Sequence, residues 1–456
     1  MLSRVLWYCH ELSRNQRLGP NELKGIQEKR LKAIIRHAYE HVPLYHRQFE
    51  SVGLRPEDIR TVEDLTKLPF TTKRQIWDGL PDRSIARGYD INGCVKMPTS
   101  GTSGGPMPAY RDKRFWDYCV AYRYYVRPRT LGVNPWDKIL EIYYSRPDAT
   151  HVKRDDGRDT KGGSRGREAL GPSFSLFKRW IKAVYIAYSG DEIIDDILEY
   201  KPGVIYANAS YLRLLAETVA ERGIEGVKPK CLISWGEVLD EPTREFLESS
   251  FGCEAFNYYG AYEVGPIACE CRNRGGIHTL ADFVVLEIVR DGEPVKPGER
   301  GEIVVTGLLN YAMPMIRYRV GDIGILGDDR CSCGSSHPLL KSVEGRIIDC
   351  FALPHGRLVT PQIIQSAIQA TPGISRYQAV QQDEGKVTIE LMSKESDPDV
   401  STHELVARCH GVLGDDIEIE VIKGDRKDLK AKFRPVISKL SVSGDTRWIK
   451  PRRSAS

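Results

Sequence analysis

Between about residue 90 and residue 343, short apolar runs alternate with amphipathic segments. Residues 203–206 have the pattern of a buried strand, and apolar residues then recur at helical spacing from Ser210 to Val219. Residues 231–234 repeat the strand pattern, and residues 243–250 repeat the helix pattern. Strands that alternate with helices in this way favour an α/β architecture with a substantial parallel sheet.

Other patterns flank this region. Residues 20–50 carry apolar side chains at helical spacing, and Pro43 is expected to end that helix. Further along, apolar runs without intervening helices predict a β-rich subdomain behind the α/β core. These runs lie at residues 284–289, 302–306 and 323–326.

The pattern changes again past Gly345. Thr360 and Pro361 have the features of a helix start, and later residues alternate between apolar and polar as they do in strands. We therefore predict an α/β protein with a large N-terminal domain over residues 1–344. A small C-terminal α+β domain is predicted over residues 345–456.

Residues 145–172 interrupt the alternation. The segment is rich in Gly and charged residues and poor in large apolar ones, so it has little apolar surface to bury. We expect a solvated, mobile loop there. A lid over a substrate is the alternative, because long loops sometimes serve as lids.

Composition excludes several classes of partner. The 66 Lys and Arg nearly balance the 62 Asp and Glu, and a net charge of +4 on 456 residues gives no electrostatic case for nucleic acid. No run is apolar and long enough to span a membrane, and the N-terminus lacks the apolar region of a secretion signal. We expect a cytoplasmic protein without a membrane partner, and a homodimer is left open.

A run of hydroxyl and glycine residues is the first candidate site: Thr99, Ser100, Gly101, Thr102, Ser103 and Gly104. Glycines let backbone N–H groups approach an anion closely, and hydroxyls add donors, as binding of a polyphosphate requires. No Gly-Lys-Ser/Thr follows, so the run is not a Walker loop. For this segment alone, a plain surface loop is the alternative.

Four further segments carry groups suited to a nucleotide. Their candidate residues are Tyr259, Gly260 and Glu263, then Asp322, then Arg346, and finally the basic run at 430–434. A base could stack on the tyrosines before Glu263, whose carboxylate could hold a divalent cation. Asp322 follows a glycine and suits the hydroxyls of a ribose. Each segment alone has an ordinary alternative, such as a buried strand end or a solvated charged face.

In this order and spacing, the motifs resemble those of the adenylate-forming superfamily of acyl-coenzyme A synthetases, and most closely its phenylacetate–coenzyme A ligase branch. Residues 99–104 are similar to the phosphate loop of that family, and residues 259–263 to its Tyr-Gly-x-x-Glu motif. Residues 314–322 resemble its Pro-x-Ile-Arg-Tyr-x-x-Gly-Asp signature. Residues 41–45 and 68–73 also look like this branch, so the resemblance covers nearly the whole chain.

The resemblance implies a two-step reaction. A small carboxylic acid, by preference an aryl acid, attacks the α-phosphate of ATP in the presence of Mg²⁺, and pyrophosphate leaves. The thiol of coenzyme A then displaces AMP from the acyl-adenylate. Since both steps gather negative charge, cations and N–H donors aimed at phosphoryl oxygens are expected to carry the catalysis. The small C-terminal domain is expected to move as a lid.

The resemblance also implies roles for individual residues. Thr99 to Gly104 would bind the β and γ phosphates, and Glu263 would bind Mg²⁺. Asp322 and Arg346 would hold the ribose, and Lys432 would reach the α-phosphate and the carboxylate. The adenine and acyl pockets would be lined by Gly236 and Glu237, beside Tyr259 and Gly260.

This sequence departs from the family pattern at three places. Gly105 stands where many relatives carry Lys, so one phosphate contact is in doubt. Ile348 stands near the hinge position, where Asp or Lys is usual, although the adjacent Asp349 could serve. An alanine replaces the usual glycine before Lys432, and Lys430 competes with Lys432 for the catalytic role.

Cysteines suggest a metal site. Eleven Cys in a chain without a secretion signal are more consistent with thiols or metal ligands than with disulfides. The candidate ligands of a structural, four-coordinate zinc are Cys271, His278, Cys331 and Cys333. The phenylacetate ligase branch has members with a similar arrangement. Cys269 and His337 are the substitute ligands if one of these four residues does not bind the metal. Unrelated reduced thiols and a surface His278 are the alternative.

Two alternatives to the thioester-forming enzyme stay open. One is an adenylating enzyme with an acceptor other than coenzyme A, or with a different oxyanion as substrate. The other is a non-catalytic, zinc-stabilised protein that still binds nucleotide. The missing Lys at position 105 and the altered hinge favour the second alternative, whereas retention of Glu263, Asp322, Arg346 and Lys432 argues against it.

Overall fold

The computed structural model describes residues 2–98, 107–134, 136–143, 181–185, 190–327, 331–354, 357–374, 376–392, 400–424 and 434–440. The segment at 145–172 lies outside these ranges. Both interpretations of that segment, as a solvated loop or as a lid, therefore stay predictions.

The main feature of the described chain is a sheet of twelve strands, which follows an antiparallel pair formed by β1 (Val95–Pro98) and β2 (Pro108–Arg111). Its strands are β3 (Ile139–Tyr143), β4 (Ile181–Tyr185), β5 (Val204–Ala207), β6 (Cys231–Trp235), β7 (Glu254–Ala261), β8 (Gly265–Glu270), β9 (Ile277–Thr279), β10 (Val284–Arg290), β11 (Glu293–Pro294), β12 (Arg300–Gly307), β13 (Tyr318–Leu326) and β14 (Leu339–Arg346). Their order across the sheet is β11-β10-β12-β13-β14-β9-β8-β7-β6-β5-β3-β4.

This sheet has a parallel half and an antiparallel half. Strands β4, β3, β5, β6 and β7 run parallel, as the α/β pattern predicts, and the pairs from β7–β8 to β10–β11 run antiparallel. The predicted β-rich subdomain is therefore not a separate unit behind the core. Backbone hydrogen bonds between β7 and β8 join the two halves into one sheet, so neither half has an open edge at the junction.

Helices precede the sheet and connect its parallel strands. They are α1 (Leu2–Asn15), α2 (Pro20–His41), α3 (Pro43–Ser51), α4 (Lys73–Asp78), α5 (Lys113–Ala121), α6 (Arg127–Thr130), α7 (Gly190–Tyr200), α8 (Ala209–Glu221) and α9 (Glu241–Phe251). Pro43 follows the end of α2, as predicted, but it also begins α3, because the first helical turn needs no N–H partner. None of the described helices combines the length and apolarity that crossing a bilayer requires.

Local sequence explains the elements that surround the candidate site. All residues of β5 are buried, as expected for a central parallel strand covered on both faces. The apolar face of α8 is buried through Leu212 and Leu215. Helix α9 begins where the side chain of Asp240 accepts a hydrogen bond from the Thr243 amide at 2.8 Å.

A smaller unit follows the large sheet and has its own core. Its described elements are β15 (Phe351–Leu353), β16 (Arg357–Val359), α10 (Pro361–Gln369), β17 (Tyr377–Asp383), β18 (Lys386–Met392), α11 (Thr402–Leu413), β19 (Glu418–Gly424) and β20 (Val436–Ser438). Ile364, Ile389 and Leu405 belong to one buried cluster that joins both helices to the sheet of β17–β20. Gln369 Nε2 donates to Asp240 Oδ2 at 3.2 Å, which links this unit to the start of α9.

A buried arginine ties the N-terminal segment to the large sheet. Arg317 precedes β13, and its guanidinium donates to Glu287 Oε1 at 2.9 Å and to the Leu68 carbonyl at 2.6 Å. The guanidinium also stacks on Phe70, with 4.1 Å between the guanidinium carbon and the ring centroid. The Thr71 amide donates to the Arg317 carbonyl at 2.9 Å, so the backbone continues the connection.

Replacing Arg317 with methionine should lower the free energy of unfolding by about 3–5 kcal/mol, because Glu287 would be left buried without its cation. The double variant Arg317→Met/Glu287→Leu should recover most of that loss. Chemical denaturation followed by circular dichroism measures both. The half-exposed pair of Arg290 and Glu299, whose side chains are 36% and 41% exposed, is the control, and Arg290→Met should cost less than about 1 kcal/mol. If Arg317→Met and Arg290→Met lowered the free energy of unfolding equally, the structural role assigned to the buried pair of Arg317 and Glu287 would be contradicted.

Candidate active site and metal centre

The candidate active-site residues gather where the parallel strands end. The carboxyl ends of β3, β5 and β6 meet at one edge of the sheet, next to β7. In open α/β sheets, ligands bind outside this edge, where the strand pattern changes. Trp235 is the last residue of β6, and Tyr262 and Glu263 lie in the turn that follows β7.

Asp322 and Arg346 are paired neighbours on β13 and β14. The Tyr259 hydroxyl donates to Asp322 Oδ2 at 2.8 Å, and Arg346 Nε lies 3.8 Å from Asp322 Oδ1. Burial, and then the charge of Asp322, raise the pKa of Tyr259 well above its ordinary value, so the hydroxyl stays protonated and donates. These two partners orient Asp322, whose side chain remains 16% exposed and accessible to a ligand.

Glu263 lies in the tight turn between β7 and β8. The Tyr318 hydroxyl donates to Glu263 Oε1 at 3.3 Å and thereby orients the carboxylate. Gly260 permits the close approach of the two strands, because a Cβ atom at this position would lie 2.8 Å from the Gly265 carbonyl oxygen. Mg²⁺ prefers carboxylate oxygens, so Glu263 fits the cation that the resemblance assigns to it.

Gly236 and Glu237 connect the ends of two neighbouring strands. Gly236 has φ +76°, and a Cβ atom there would lie 2.9 Å from Asn208 Nδ2, so glycine is required. The Asn208 amide donates to the Trp235 carbonyl at 2.8 Å. Glu237 Oε2 accepts a hydrogen bond from the Ser210 amide at 2.9 Å, which ties this residue to the start of α8.

Lys73 lies near these residues, although no sequence motif assigns it a role. It begins α4, and the preceding segment is held to β13, since the Arg319 amide donates to the Thr71 carbonyl at 2.9 Å. Burial lowers the pKa of Lys73, whereas the negative charge of Glu263 raises it and the positive charge of Arg346 lowers it. The Lys73 ammonium therefore lies within electrostatic reach of both candidate catalytic groups.

Two predicted groups lie outside the described residues. They are the run Thr99, Ser100, Gly101, Thr102, Ser103 and Gly104, and the pair Lys430 and Lys432. The described neighbour of Lys432 is Arg434, whose guanidinium pairs with Asp349 in the short helical turn Ile347–Asp349. Burial, and then Arg346, lower the pKa of Arg434, so the chain two residues beyond Lys432 lies close to Arg346.

The predicted zinc ligands form one cluster near the antiparallel half of the sheet. They are Cys271, His278, Cys331 and Cys333, and their ligand atoms lie within 4.8 Å of one another. The sulfurs of Cys271 and Cys331 are 3.5 Å apart, and Cys333 Sγ lies 3.5 Å from His278 Nε2. A tetrahedral zinc with bonds of about 2.0–2.3 Å spaces its ligand atoms by roughly 3.3–3.8 Å, so this donor set fits zinc.

The surroundings distinguish these four residues from their substitutes. His278 is buried rather than on the surface, and its Nδ1 faces the His337 carbonyl at 3.4 Å, as is typical of a metal-bound histidine. Cys269 Sγ lies in the core, 2.7 Å from the Tyr122 hydroxyl. His337 Nδ1 accepts a hydrogen bond from the Ala281 amide at 3.2 Å. Both substitutes are therefore engaged elsewhere.

Comparison with known proteins agrees with this geometry. The AMP-binding enzyme family matches residues 182–313. The phenylacetate–coenzyme A ligase of Thermus thermophilus is 29% identical over 394 residues, which are 84% of this chain and 83% of that protein. The phenylacetate–coenzyme A ligase of Escherichia coli is 33% identical over 321 residues, which are 66% of this chain and 67% of that protein. A crystal structure of 2-hydroxyisobutyryl-CoA ligase in the postadenylation state matches this fold with a TM-score of 0.76 at 20% sequence identity. The match covers 93% of this chain and 91% of the ligase chain, and it confirms the predicted fold class.

Proposed function

Because the chain belongs to the phenylacetate–coenzyme A ligase branch of the adenylate-forming enzymes, we propose that it activates a small carboxylic acid, of the aryl class, with ATP and transfers the acyl group to coenzyme A. One observation carries this proposal. Four residues from separate strands and turns meet at the edge of the sheet where α/β proteins bind nucleotides. They are Tyr259, Glu263, Asp322 and Arg346.

In the first step, a carboxylate oxygen attacks the α-phosphorus of ATP, the bond to the β-phosphate breaks, and pyrophosphate leaves. Negative charge develops on the α-phosphoryl oxygens, so cationic groups that face them lower the barrier. Lys432 would supply the main contact, and Lys73 and Arg346 add positive charge nearby. Asp322 would accept hydrogen bonds from the ribose. Mg²⁺ held by Glu263 would neutralise polyphosphate charge when bound.

In the second step, the coenzyme A sulfur, after losing its proton, attacks the acyl carbon, and the bond between that carbon and the AMP oxygen breaks. Lys432 must reach the phosphates in the first step, whereas the thiol needs access to the same cleft in the second. We therefore propose that the small unit from residue 345 onward changes position between the steps, about a hinge at Ile348 and Asp349. Residues 99–104 would hold the β and γ phosphates.

Release of pyrophosphate from ATP, Mg²⁺ and a panel of acids, with and without coenzyme A, tests the proposal. We expect release that depends on the acid, and a thioester in the mixtures that contain coenzyme A. Lys432→Ala should slow the adenylation step by about 10²-fold or more, and Lys430→Ala by less. Pyrophosphate without a thioester would favour another acceptor. ATP binding without pyrophosphate release for any acid would support the non-catalytic alternative and contradict the proposal.

Lys73→Met should weaken ATP binding and slow adenylation by roughly 10-fold or more, because a charge-assisted contact to phosphate would be lost. This cation would compensate for Gly105, which stands where many relatives carry lysine. Arg74→Met is the matched control, since the Arg74 side chain is 90% exposed, and its effect should stay within about twofold. The KM for ATP and the kcat of pyrophosphate release measure both. If Lys73→Met and Arg74→Met gave the same KM for ATP and the same kcat, the role given to Lys73 would be overturned.

We also propose that Cys271, His278, Cys331 and Cys333 bind a structural zinc. Four protein ligands leave no position for water, and a bound zinc contributes folding free energy. Elemental analysis should find about one zinc per chain. The double variant Cys331→Ser/Cys333→Ser should lose the metal and melt at a lower temperature, whereas Cys94→Ser should keep it. Metal-free protein, or a melting temperature unchanged by chelation, would count decisively against zinc.

A further inference from the structure

Arg123 occupies an unusual position in the π-helical turn Tyr122–Val126, which joins α5 to α6. Aromatic rings from several elements surround its guanidinium carbon: Tyr206 at 5.1 Å, Trp235 at 5.4 Å, and Tyr124, Tyr143 and Tyr258 at 5.9 Å from their centroids. We call Arg123, these five residues and Glu141 the arginine box. The aromatic faces attract the cation, but they do not satisfy its N–H donors.

Glu141 is the acidic member of the arginine box and is fully buried. Its Oε1 lies 2.5 Å from Arg123 Nε. Its Oε2 accepts hydrogen bonds from the hydroxyls of Tyr124 and Tyr143, both at 2.6 Å. Burial raises the pKa of both tyrosines well above the ordinary value, so both hydroxyls stay protonated. Both oxygens of Glu141 therefore face donors of the box.

The guanidinium, in contrast, keeps unused donors. Arg123 Nε and Nη2 are both buried, and neither makes a hydrogen bond among the residues that the structure describes, because the contact of Nε with Glu141 is an ion pair. The side chain as a whole is still 20% exposed, so part of it faces open space. A buried donor without a partner is costly, and a ligand that accepts its hydrogen bond removes that cost. The arginine box can thus donate a hydrogen bond to a ligand.

The arginine box lies beside the proposed acyl-binding region. Tyr143 and Trp235 are the last residues of β3 and β6, and their rings are 5.4 Å apart. The Trp235 ring lies 6.4 Å from the ring of Tyr262, which directly precedes Glu263. An acid whose carboxylate reaches the α-phosphate near Glu263 would therefore direct its far end toward the tyrosines, Trp235 and Arg123.

We propose that Arg123 determines substrate specificity by donating a hydrogen bond to a neutral oxygen on the ring of an aryl acid, such as an ether or carbonyl oxygen. This inference rests on the proposed function and names its substrate class. Glu141 already neutralises Arg123, so a second carboxylate on the ring would bring an uncompensated charge into the box. An apolar ring substituent would leave the donor of Arg123 without a partner.

The test compares two acids of matched shape, 4-methoxyphenylacetate and 4-ethylphenylacetate, with 4-carboxyphenylacetate as the charged analogue and the 3-substituted isomers alongside. We expect kcat/KM for pyrophosphate release to favour the methoxy acid over the ethyl acid by about 10-fold or more, because the ethyl group cannot accept a hydrogen bond. The charged analogue should be the poorest substrate. Calorimetric binding of each acid without turnover should give the same order.

Variants assign the preference to Arg123. In Arg123→Met/Glu141→Gln, which avoids an uncompensated buried carboxylate, the methoxy-to-ethyl ratio should fall close to one. Arg129 lies in α6, directly after the π-helical turn, and is exposed, so Arg129→Met should keep the wild-type ratio. Melting temperatures show whether each variant is folded, and Glu141→Gln alone provides a second variant that retains Arg123.

The outcomes separate this inference from the proposed function. Equal kcat/KM for the methoxy and ethyl acids in the wild-type protein, or an unchanged ratio in a folded Arg123 variant, would overturn the inference while leaving the ligase activity in place. Absence of pyrophosphate release with every acid would instead contradict the proposed function. In that case the calorimetric order of the methoxy and ethyl acids still decides whether Arg123 selects an oxygen acceptor.

Discussion

The change from parallel to antiparallel pairing at β7 is the constraint on which the candidate active site depends. One side of β7 bonds to β6 in parallel and the other to β8 in antiparallel fashion, so the chain must reverse tightly between β7 and β8. Gly260 permits this reversal, because a side chain there would collide with the backbone of β8. Neighbouring strand residues point to opposite faces, so Tyr258 can face Arg123 while Tyr259 donates to Asp322.

The sequence motif at 314–322 combines folding and chemistry in one stretch. The guanidinium of Arg317 pairs with Glu287 and donates to the Leu68 carbonyl, and these contacts hold the N-terminal segment against the large sheet. Tyr318, the next residue, orients the carboxylate of Glu263. Because the N-terminal segment is held in this way, α4 begins close to the site. The position of Lys73, the first residue of α4 and a cation of the proposed ATP site, therefore depends on the ion pair of Arg317 and Glu287.

Local patterns in the sequence predict the elements and the ligand chemistry better than they predict long-range neighbours. The strand at 203–206 and the helix from Ser210 lie within one or two residues of β5 and α8, since periodicity and capping are local signals. The Cys and His residues could be grouped because few side chains suit zinc. The union of the two halves of the sheet was missed, because the β7–β8 pairing leaves no signal in either strand alone. Lys73 and Arg123 were missed because a charged residue in or at the start of a helix most often faces solvent.

The direct attack of the acid on the α-phosphorus is the central claim, and isotope transfer tests it most directly. An acid carrying ¹⁸O in its carboxylate is turned over with ATP and coenzyme A, and the products are analysed by mass spectrometry. We expect one labelled oxygen in AMP and none in pyrophosphate, because the second step breaks the bond between the acyl carbon and the oxygen left on phosphorus. Unlabelled AMP accompanied by thioester, or label in inorganic phosphate, would contradict adenylation as the route.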